Sequence, residues 1–191
     1  MNIRTIIRIF VAVVCTVGLC EPSHAATDAR LCHRQTIDKG TIAFQIPCGF
    51  QVSSEKISLG VSNTNIGTVV SNADGTILLA FDVIRREDKH LNAEEAMHGI
   101  RMLAAKNPTK IKIGREVIAR FDGKYGLANT VSGKSNAGSF SGKQIYVRIV
   151  IIDRSKSDLF VAIVGMTKEQ QQRGGEAIFW DVMRSVRFNV K

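Results

Sequence analysis

The sequence predicts an α+β protein, an α/β/α sandwich on a mostly antiparallel sheet with one helix on each face. Two late segments, "QIYVRIVIID" and "LFVAIVGM", carry apolar residues at neighbouring positions. An antiparallel strand with one wet face would alternate, so both faces of these strands must be covered. Two amphipathic segments can supply a helix for each face, and the remaining order is mostly strand–turn–strand.

The N-terminus predicts a cleaved secretory signal peptide over residues 1–25. Arg4 and Arg8 precede an apolar run from Ile9 to Leu19, and small residues end at Ala25. The run is shorter than the roughly 20 residues of a spanning helix. Because neither Cys15 nor Cys20 follows a small residue, lipid anchoring is disfavoured. We therefore expect a periplasmic or secreted protein, soluble after cleavage, with an N-terminal arm over residues 26–40 and a single domain over 41–191.

Export changes what the cysteines imply. Cys15 and Cys20 leave with the signal peptide, whereas Cys32 and Cys48 remain as an even pair in an oxidising compartment. The prediction is one disulfide between them. The alternative is a metal or redox pair, which the absence of a C-x-x-C spacing disfavours.

The chain has 191 residues and a net charge of +9, which suits one domain with a basic surface. A basic surface can attract nucleic acid, anionic lipid or an acidic protein. Here the basic residues are scattered, and they lack the interleaved aromatic residues of single-stranded nucleic-acid binders. Nucleic acid is therefore disfavoured as a partner.

The first half of the chain predicts strands and then a helix. "TIAFQIP" alternates and ends at Pro47, "ISLGVS" is a weaker strand, and "GTVVSNADGTILLAFDVIRR" predicts a hairpin turning at residues 73–75. "LNAEEAMHGIRMLAAKNP" predicts a helix capped by Asn92 and ended by Pro108. Its apolar face is formed by Ala96, Met97, Ile100, Leu103 and Ala104.

The second half predicts a strand "IKIGREVIAR", a turn at Asp122-Gly123 and a strand "YGLANTVSG". A Gly- and Ser-rich loop from Ser132 to Gly142 follows, and then the two apolar strands, in which Arg148 is the polar exception. A final helix runs through "GEAIFWDVMRSVRF". The residues of its apolar face are Ile178, Phe179, Val182, Met183 and Val186.

The segments "FQIPCGF", "LNAEEAM", "DGKYGLAN" and "FWDVMRSVRF", taken in this order, resemble the PsbP-like fold family. That family includes thylakoid-lumen PsbP proteins and exported bacterial DcrB-like and LpqN-like proteins. The resemblance spans nearly all of the mature chain and rests on packing patterns. It implies a small exported binding or assembly-accessory protein, with no common active site to carry over. Cys48, inside "IPCGF", is not part of the family pattern.

Several groups of residues have the types or spacings of known chemical sites. His90, Glu94 and His98 have zinc-like spacing, but His90 precedes the Asn92 cap, so no metal site is predicted. Gly133-Lys134-Ser135 lacks the rest of a phosphate loop, and no G-x-S-x-G motif is present. Trp180 is predicted to lie at the edge of the core. No catalytic residue and no cofactor are predicted.

The long loop is the candidate contact surface, since loops of this length in compact domains often carry function. Its candidate residues are Ser132, Gly133, Lys134, Ser135, Asn136, Phe140 and Lys143. The sequence therefore favours a non-catalytic exported protein, monomeric or weakly dimeric, that acts on an envelope or secreted protein partner. The alternatives are a hydrolase with an unrecognised site and a basic surface that binds anionic lipid or nucleic acid.

Overall fold

The computed structural model describes residues 30–52, 68–85, 92–105, 111–135, 140–156 and 158–189. The predicted signal peptide and the predicted strand "ISLGVS" lie outside these residues. The described strands are β1 (Leu31–Ile37), β2 (Ile42–Pro47), β3 (Gln51–Val52), β4 (Thr68–Ser71), β5 (Ile77–Arg85), β6 (Ile111–Ile113), β7 (Val117–Phe121), β8 (Lys124–Lys134), β9 (Gln144–Asp153), β10 (Asp158–Thr167) and β11 (Arg187–Phe188). The described helices are α1 (Ala93–Ala105), α2 (Lys168–Gln172) and α3 (Gly175–Ser185).

Eight of the described strands form one antiparallel sheet in the order β3-β4-β5-β10-β9-β8-β6, with β7 also paired to β8. The two apolar strands β9 and β10 lie at its centre, where Ile163 is paired with Ile149. The remaining three described strands form a small sheet in the order β1-β2-β11. The predicted α+β sandwich on an antiparallel sheet is confirmed.

Each face of the large sheet carries its own hydrophobic core. On one face Ala96, Met97 and Ile100 of α1 pack in a cluster with residues of β5, β8, β9 and β10. On the other face Phe179, Val182 and Met183 of α3 pack together with β2 and β11 of the small sheet. The sequence predicts one helix on each face, but it does not predict the small sheet that shares the second face.

The start of α1 follows the predicted cap. The side-chain Oδ1 of Asn92 accepts a hydrogen bond from the backbone N of Glu95 at 2.8 Å. The backbone N of Ala93 donates to Asp153 Oδ1, also at 2.8 Å, which fastens the helix start to the end of β9. Two of the free N–H groups at the helix start are satisfied in this way.

Part of the N-terminal arm predicted over residues 26–40 forms a strand that pairs with the domain. Leu31–Ile37 forms β1, which pairs antiparallel with β2, with Thr36 opposite Ala43. Strand β1 is a sheet edge with most of its side chains exposed. Its sequence therefore lacks the apolar alternation that marks a half-buried strand.

The predicted strand "IKIGREVIAR" is two strands, β6 and β7, divided at Gly114. The backbone N of Gly114 donates to the carbonyl O of Thr130 at 2.9 Å, and a Cβ at this position would overlap the Thr130 hydroxyl. A larger residue here would force the Thr130 side chain to move. The final helix is also shorter than predicted: it ends at Ser185, Val186 is extended, and Arg187–Phe188 joins the small sheet.

Among the described residues, no helix combines the length and apolar character needed to cross a bilayer.

Candidate binding surface

The described ends of the predicted contact loop lie in β8 and in a hydrogen-bonded turn before β9. Ser132, Gly133 and Lys134 belong to β8, where Lys134 is paired with Gln144. The turn is closed by hydrogen bonds from Ser135 N to Lys143 O at 3.0 Å and from Gly142 N to Ser135 O at 2.8 Å. Asn136 lies outside the described residues. The predicted loop is therefore shorter, because strand pairing continues into a Gly- and Ser-rich sequence.

Phe140 is not available as a contact residue. Its side chain is 1 % exposed and packs in the core on the α1 face. Ser135 is also buried, whereas Lys134 and Lys143 are exposed. An apolar residue in a polar loop resembles a contact residue in the sequence, but here it anchors the turn to the core.

The neighbouring edge of the large sheet, formed by β6 and β7, extends this surface. We call residues 111–121 the β6–β7 edge. Lys112 of β6 lies opposite Ser132 of β8, so its position is close to Lys134 at the β8–β9 turn. Five exposed basic residues lie here. Lys112, Arg115 and Arg120 are on the β6–β7 edge, Lys134 is at the end of β8, and Lys143 is in the turn before β9.

Strand β7 also exposes apolar residues. Ile118 is 69 % exposed and Val117 is 42 % exposed, the first being the most exposed large hydrophobic residue among those described. Ala119, between Ile118 and Arg120, is buried in the core on the α3 face. Alternation therefore places Ile118 on the opposite, α1 face of the sheet, opposite Leu127.

One side of β7 pairs with no other described strand. Strands β7 and β8 are joined by the two-residue turn Asp122-Gly123, with φ angles of 48° and 74°, as the sequence predicted. The residues flanking such a turn exchange hydrogen bonds, and bonded pairs then alternate along an antiparallel ladder. The N–H and C=O groups of Ile118 and Arg120 therefore point away from β8. Among the described strands, only β8 pairs with β7.

The connection between β6 and β7 is held against α1. Arg101 Nη2 lies 3.4 Å from Glu116 Oε2 in an ion pair. This contact links the edge to the helix.

A second polar cluster lies between β9 and α3. Arg148, the polar exception of the sequence, forms an ion pair with Glu176 and lies 5.5 Å from the ring centre of Trp180. The Tyr146 hydroxyl donates to Glu176 Oε2 at 3.1 Å. Burial raises the pKa of Tyr146, and the Glu176 charge adds to this increase. Trp180 also stacks on Phe121, which confirms its place at the edge of the core.

A third polar cluster joins the small sheet to the large one. Asp38, in the turn between β1 and β2, pairs with Arg85 and with Arg154, and accepts from the Thr41 hydroxyl at 2.7 Å. Burial by itself would raise the pKa of Asp38. The hydrogen bonds from Thr41 and the two arginines outweigh that effect and lower the pKa to about 2.

Cys32 and Cys48 form the predicted disulfide, with their Cα atoms 5.0 Å apart. It links β1 to the end of β2, next to the pair of Leu31 and Pro47. Within the described residues no three His, Cys, Asp or Glu side chains are grouped to hold a metal ion. Of the weak zinc constellation, Glu94 and His98 lie on α1 and His90 is outside the described residues.

Comparison with known proteins supports the fold at low sequence identity. No family model matches the chain, and no curated protein matches it. The Ran-binding protein Mog1p of Saccharomyces cerevisiae superposes with a TM-score of 0.54 at 15% identity, over 82% of this chain and 94% of that one. The cyanobacterial PsbP protein CyanoP of Synechocystis sp. PCC 6803 gives 0.51 at 13% identity, over 87% and 98%. The chain therefore has a PsbP-like fold, as the sequence resemblance implied.

LpqN of Mycobacterium tuberculosis, described as involved in cell envelope biogenesis, is also matched. Its TM-score is 0.44 at 10% identity, over 78% of this chain and 83% of that one. This likeness is too low to add to the fold assignment.

Proposed function

We propose that this chain is a non-catalytic exported binding or assembly-accessory protein that docks an extended segment of an envelope or secreted protein along the β6–β7 edge. The observation that carries the proposal is Ile118. This residue is 69 % exposed on a strand whose outer backbone groups face away from β8. An added strand would bury this side chain and pair those backbone groups at once.

An exposed apolar sheet edge is a liability that folded proteins usually shield. Covering the Ile118 side chain would contribute about 1 to 2 kcal/mol. New hydrogen bonds to Ile118 and Arg120 would add affinity, while the alternating side chains of the added strand would supply specificity. A docked strand would therefore remove the exposed Ile118 side chain from water.

The charge of the surface selects the partner segment. Five exposed basic residues lie along the β6–β7 edge and the adjoining β8–β9 turn, and the described residues give none of them a salt bridge. Glu116, the one acidic residue of the edge, is held by Arg101. We therefore expect the partner segment to be extended and acidic, with an apolar residue opposite Ile118. The β8–β9 turn, through Lys134 and Lys143, forms one end of this surface.

Export rests on the N-terminal sequence and on the Cys32–Cys48 disulfide. Stable disulfides form mainly in oxidising compartments. The description of the fold neighbour Mog1p as a Ran-binding protein supports a binding role for this fold.

Site-specific photocrosslinking in the native host tests the surface. A photoreactive residue is placed at position 118 or, as a matched control, at Met102 of α1, another large hydrophobic residue at 45 % exposure. The expected result is one exported or envelope protein crosslinked from position 118 and not from position 102, through an acidic segment. Equal crosslinking from both positions would contradict the proposal.

The partner identified in this way is then purified for affinity measurements. Ile118→Asp should weaken binding at least tenfold, because it loses the apolar contact and repels the acidic segment. Met102→Asp should leave affinity unchanged. A different outcome is that the wild type and Ile118→Asp bind anionic vesicles or DNA equally, with binding that falls steeply as salt rises. In that case the electrostatic alternative replaces the proposal.

A further inference from the structure

A pocket of about 510 Å³ opens on the small sheet, separate from the β6–β7 edge. It is lined by Arg34, Ala43, Phe44, Gln45, Ser185 and Arg187. Its volume falls within the range of roughly 300 to 1,000 Å³ found for small-molecule sites.

Strand register places the polar lining residues on the outer face of the small sheet. Arg34 of β1 lies opposite Gln45 of β2, and Arg187 of β11 lies opposite Ala43. Gln45 and Ala43 are two residues apart, so all four side chains project from one face. Ala43 is 4 % exposed and belongs to neither core cluster, so it forms the floor between the longer side chains.

The two arginines can meet over Ala43. Two strand spacings and a two-residue offset put their Cα atoms about 12 Å apart, within the combined reach of two arginine side chains. Arg187 Nη1 donates to the carbonyl oxygens of Arg184 and Val186, both at 2.8 Å. These bonds fix one guanidinium beside the pocket and reduce the ordering needed when a ligand binds.

One wall of the pocket is also fixed by hydrogen bonds. The Ser185 hydroxyl donates to Val182 O at 2.6 Å and accepts from the backbone N of Gln45 at 2.8 Å. The end of α3 is therefore fastened to β2 at the pocket wall.

Among the described lining residues two are positively charged and none is negatively charged. Two carboxylates on neighbouring elements are already bonded, Asp122 to the backbone N of Phe188 and Asp181 to Arg184. Planar guanidinium groups bind the oxygens of carboxylates and phosphates in pairs. The charge and the geometry thus select an oxyanion.

We propose that this pocket is a binding site for a small organic anion whose carboxylate or phosphate is held between Arg34 and Arg187. The pocket volume of about 510 Å³ suits a ligand of metabolite size. The site is independent of the β6–β7 edge, so either proposal can fail alone.

Titration of the purified mature protein by NMR tests the site, with succinate and inorganic phosphate as separate probes and sodium chloride at matched ionic strength as the reference. The expected result is saturable shifts of backbone signals confined to residues 34, 43–45 and 185–187, with one probe or both. The tighter probe identifies the preferred oxyanion. Shifts no larger than those with chloride would overturn the proposal.

Variants connect such binding to the named residues. Arg34→Gln and Arg187→Gln should each weaken affinity about tenfold or more, since each removes a charged hydrogen bond. Ala43→Leu should block the pocket while keeping both charges, and Arg173→Gln, at the C-cap of α2, is the control. Because Arg187→Gln also loses two backbone contacts, Arg34→Gln decides the outcome. Unchanged affinity in a folded Arg34→Gln protein would overturn the proposal.

Discussion

The carboxylate of Asp122 accepts a hydrogen bond from the backbone N of Phe188 at 2.8 Å, although 66 positions separate the two residues. Asp122 occupies the turn between β7 and β8, and Phe188 belongs to β11 of the small sheet. One side chain therefore links the turn after β7, in the large sheet, to β11 of the small sheet.

Replacing Asp122 by alanine should lower the free energy of unfolding by about 1 to 3 kcal/mol, because the Phe188 N–H loses its partner. Alanine is also strained at the positive φ of this turn, 48°. Urea unfolding measures the change. Asp122→Asn keeps an acceptor oxygen and tolerates this φ, so it should lose less than half as much. Equal losses in the two variants would contradict the role of the hydrogen bond.

Asp38 should make stability depend on acid pH. Its pKa is lowered from 3.8 to about 2 in the folded protein, so its contribution is fully present above pH 5. The contribution is lost as pH falls through the unfolded value toward 2, and amounts to at most about 2 kcal/mol. Unfolding measured from pH 6 to pH 2 should show this loss in the wild type and not in Asp38→Asn. The control Asp181→Asn, at a half-exposed pair, should show the same loss of stability as the wild type.

Replacing both Cys32 and Cys48 by serine should lower stability by at most about 3 kcal/mol, the closure entropy of a loop of this length. The fold should persist, because β1 remains paired with β2 over most of its length. Thermal unfolding with and without reductant measures the effect, and reductant should not alter the double variant. Mass spectrometry that finds two free thiols in exported protein would contradict the disulfide.

Gly126 and Gly165 both lie in the large sheet, but the space around them differs. A Cβ on Gly126 would lie 2.7 Å from the carbonyl O of Ile151, so Gly126→Ala should lower stability by about 1 to 3 kcal/mol. A Cβ on Gly165 meets nothing within 4 Å, so Gly165→Ala should be neutral or stabilise by up to about 1 kcal/mol. Chemical unfolding of both variants makes the comparison, and similar losses would show that the crowding at Gly126 is not decisive.

The Glu176→Gln substitution should lower the pKa of Tyr146. Burial would still raise this pKa, but the negative charge that adds to the increase would be gone, and Arg148 would favour the ionised phenol more strongly. Tyrosinate absorbance during an alkaline titration measures the change. The chain has two tyrosines, and Tyr146→Phe assigns the signals. A lower pKa at Tyr125 alone would contradict the assignment.

The sequence by itself determined the features that a short segment expresses through its own pattern. Strands β9 and β10 are apolar on both faces and lie between two cores, and Asn92 caps the helix that it precedes. The Asp122-Gly123 turn follows from the backbone preferences of two adjacent residues. The disulfide followed from the even number of cysteines outside the predicted signal peptide. The strand, cap and turn each rest on a preference that is decided locally.

Only the tertiary structure decided which elements became edges and which residues stayed exposed. Strand β1 gains its place by pairing with β2 and not from an apolar pattern, so its residues were predicted to form an arm. Phe140 and Ile118 are both apolar residues next to polar neighbours, yet one is buried and the other is 69 % exposed. The lining of the pocket that contains Arg34 and Arg187 comes from β1, β2, α3 and β11, which no local pattern brings together. Burial depends on contacts between residues distant in sequence, so the composition of one segment cannot fix it.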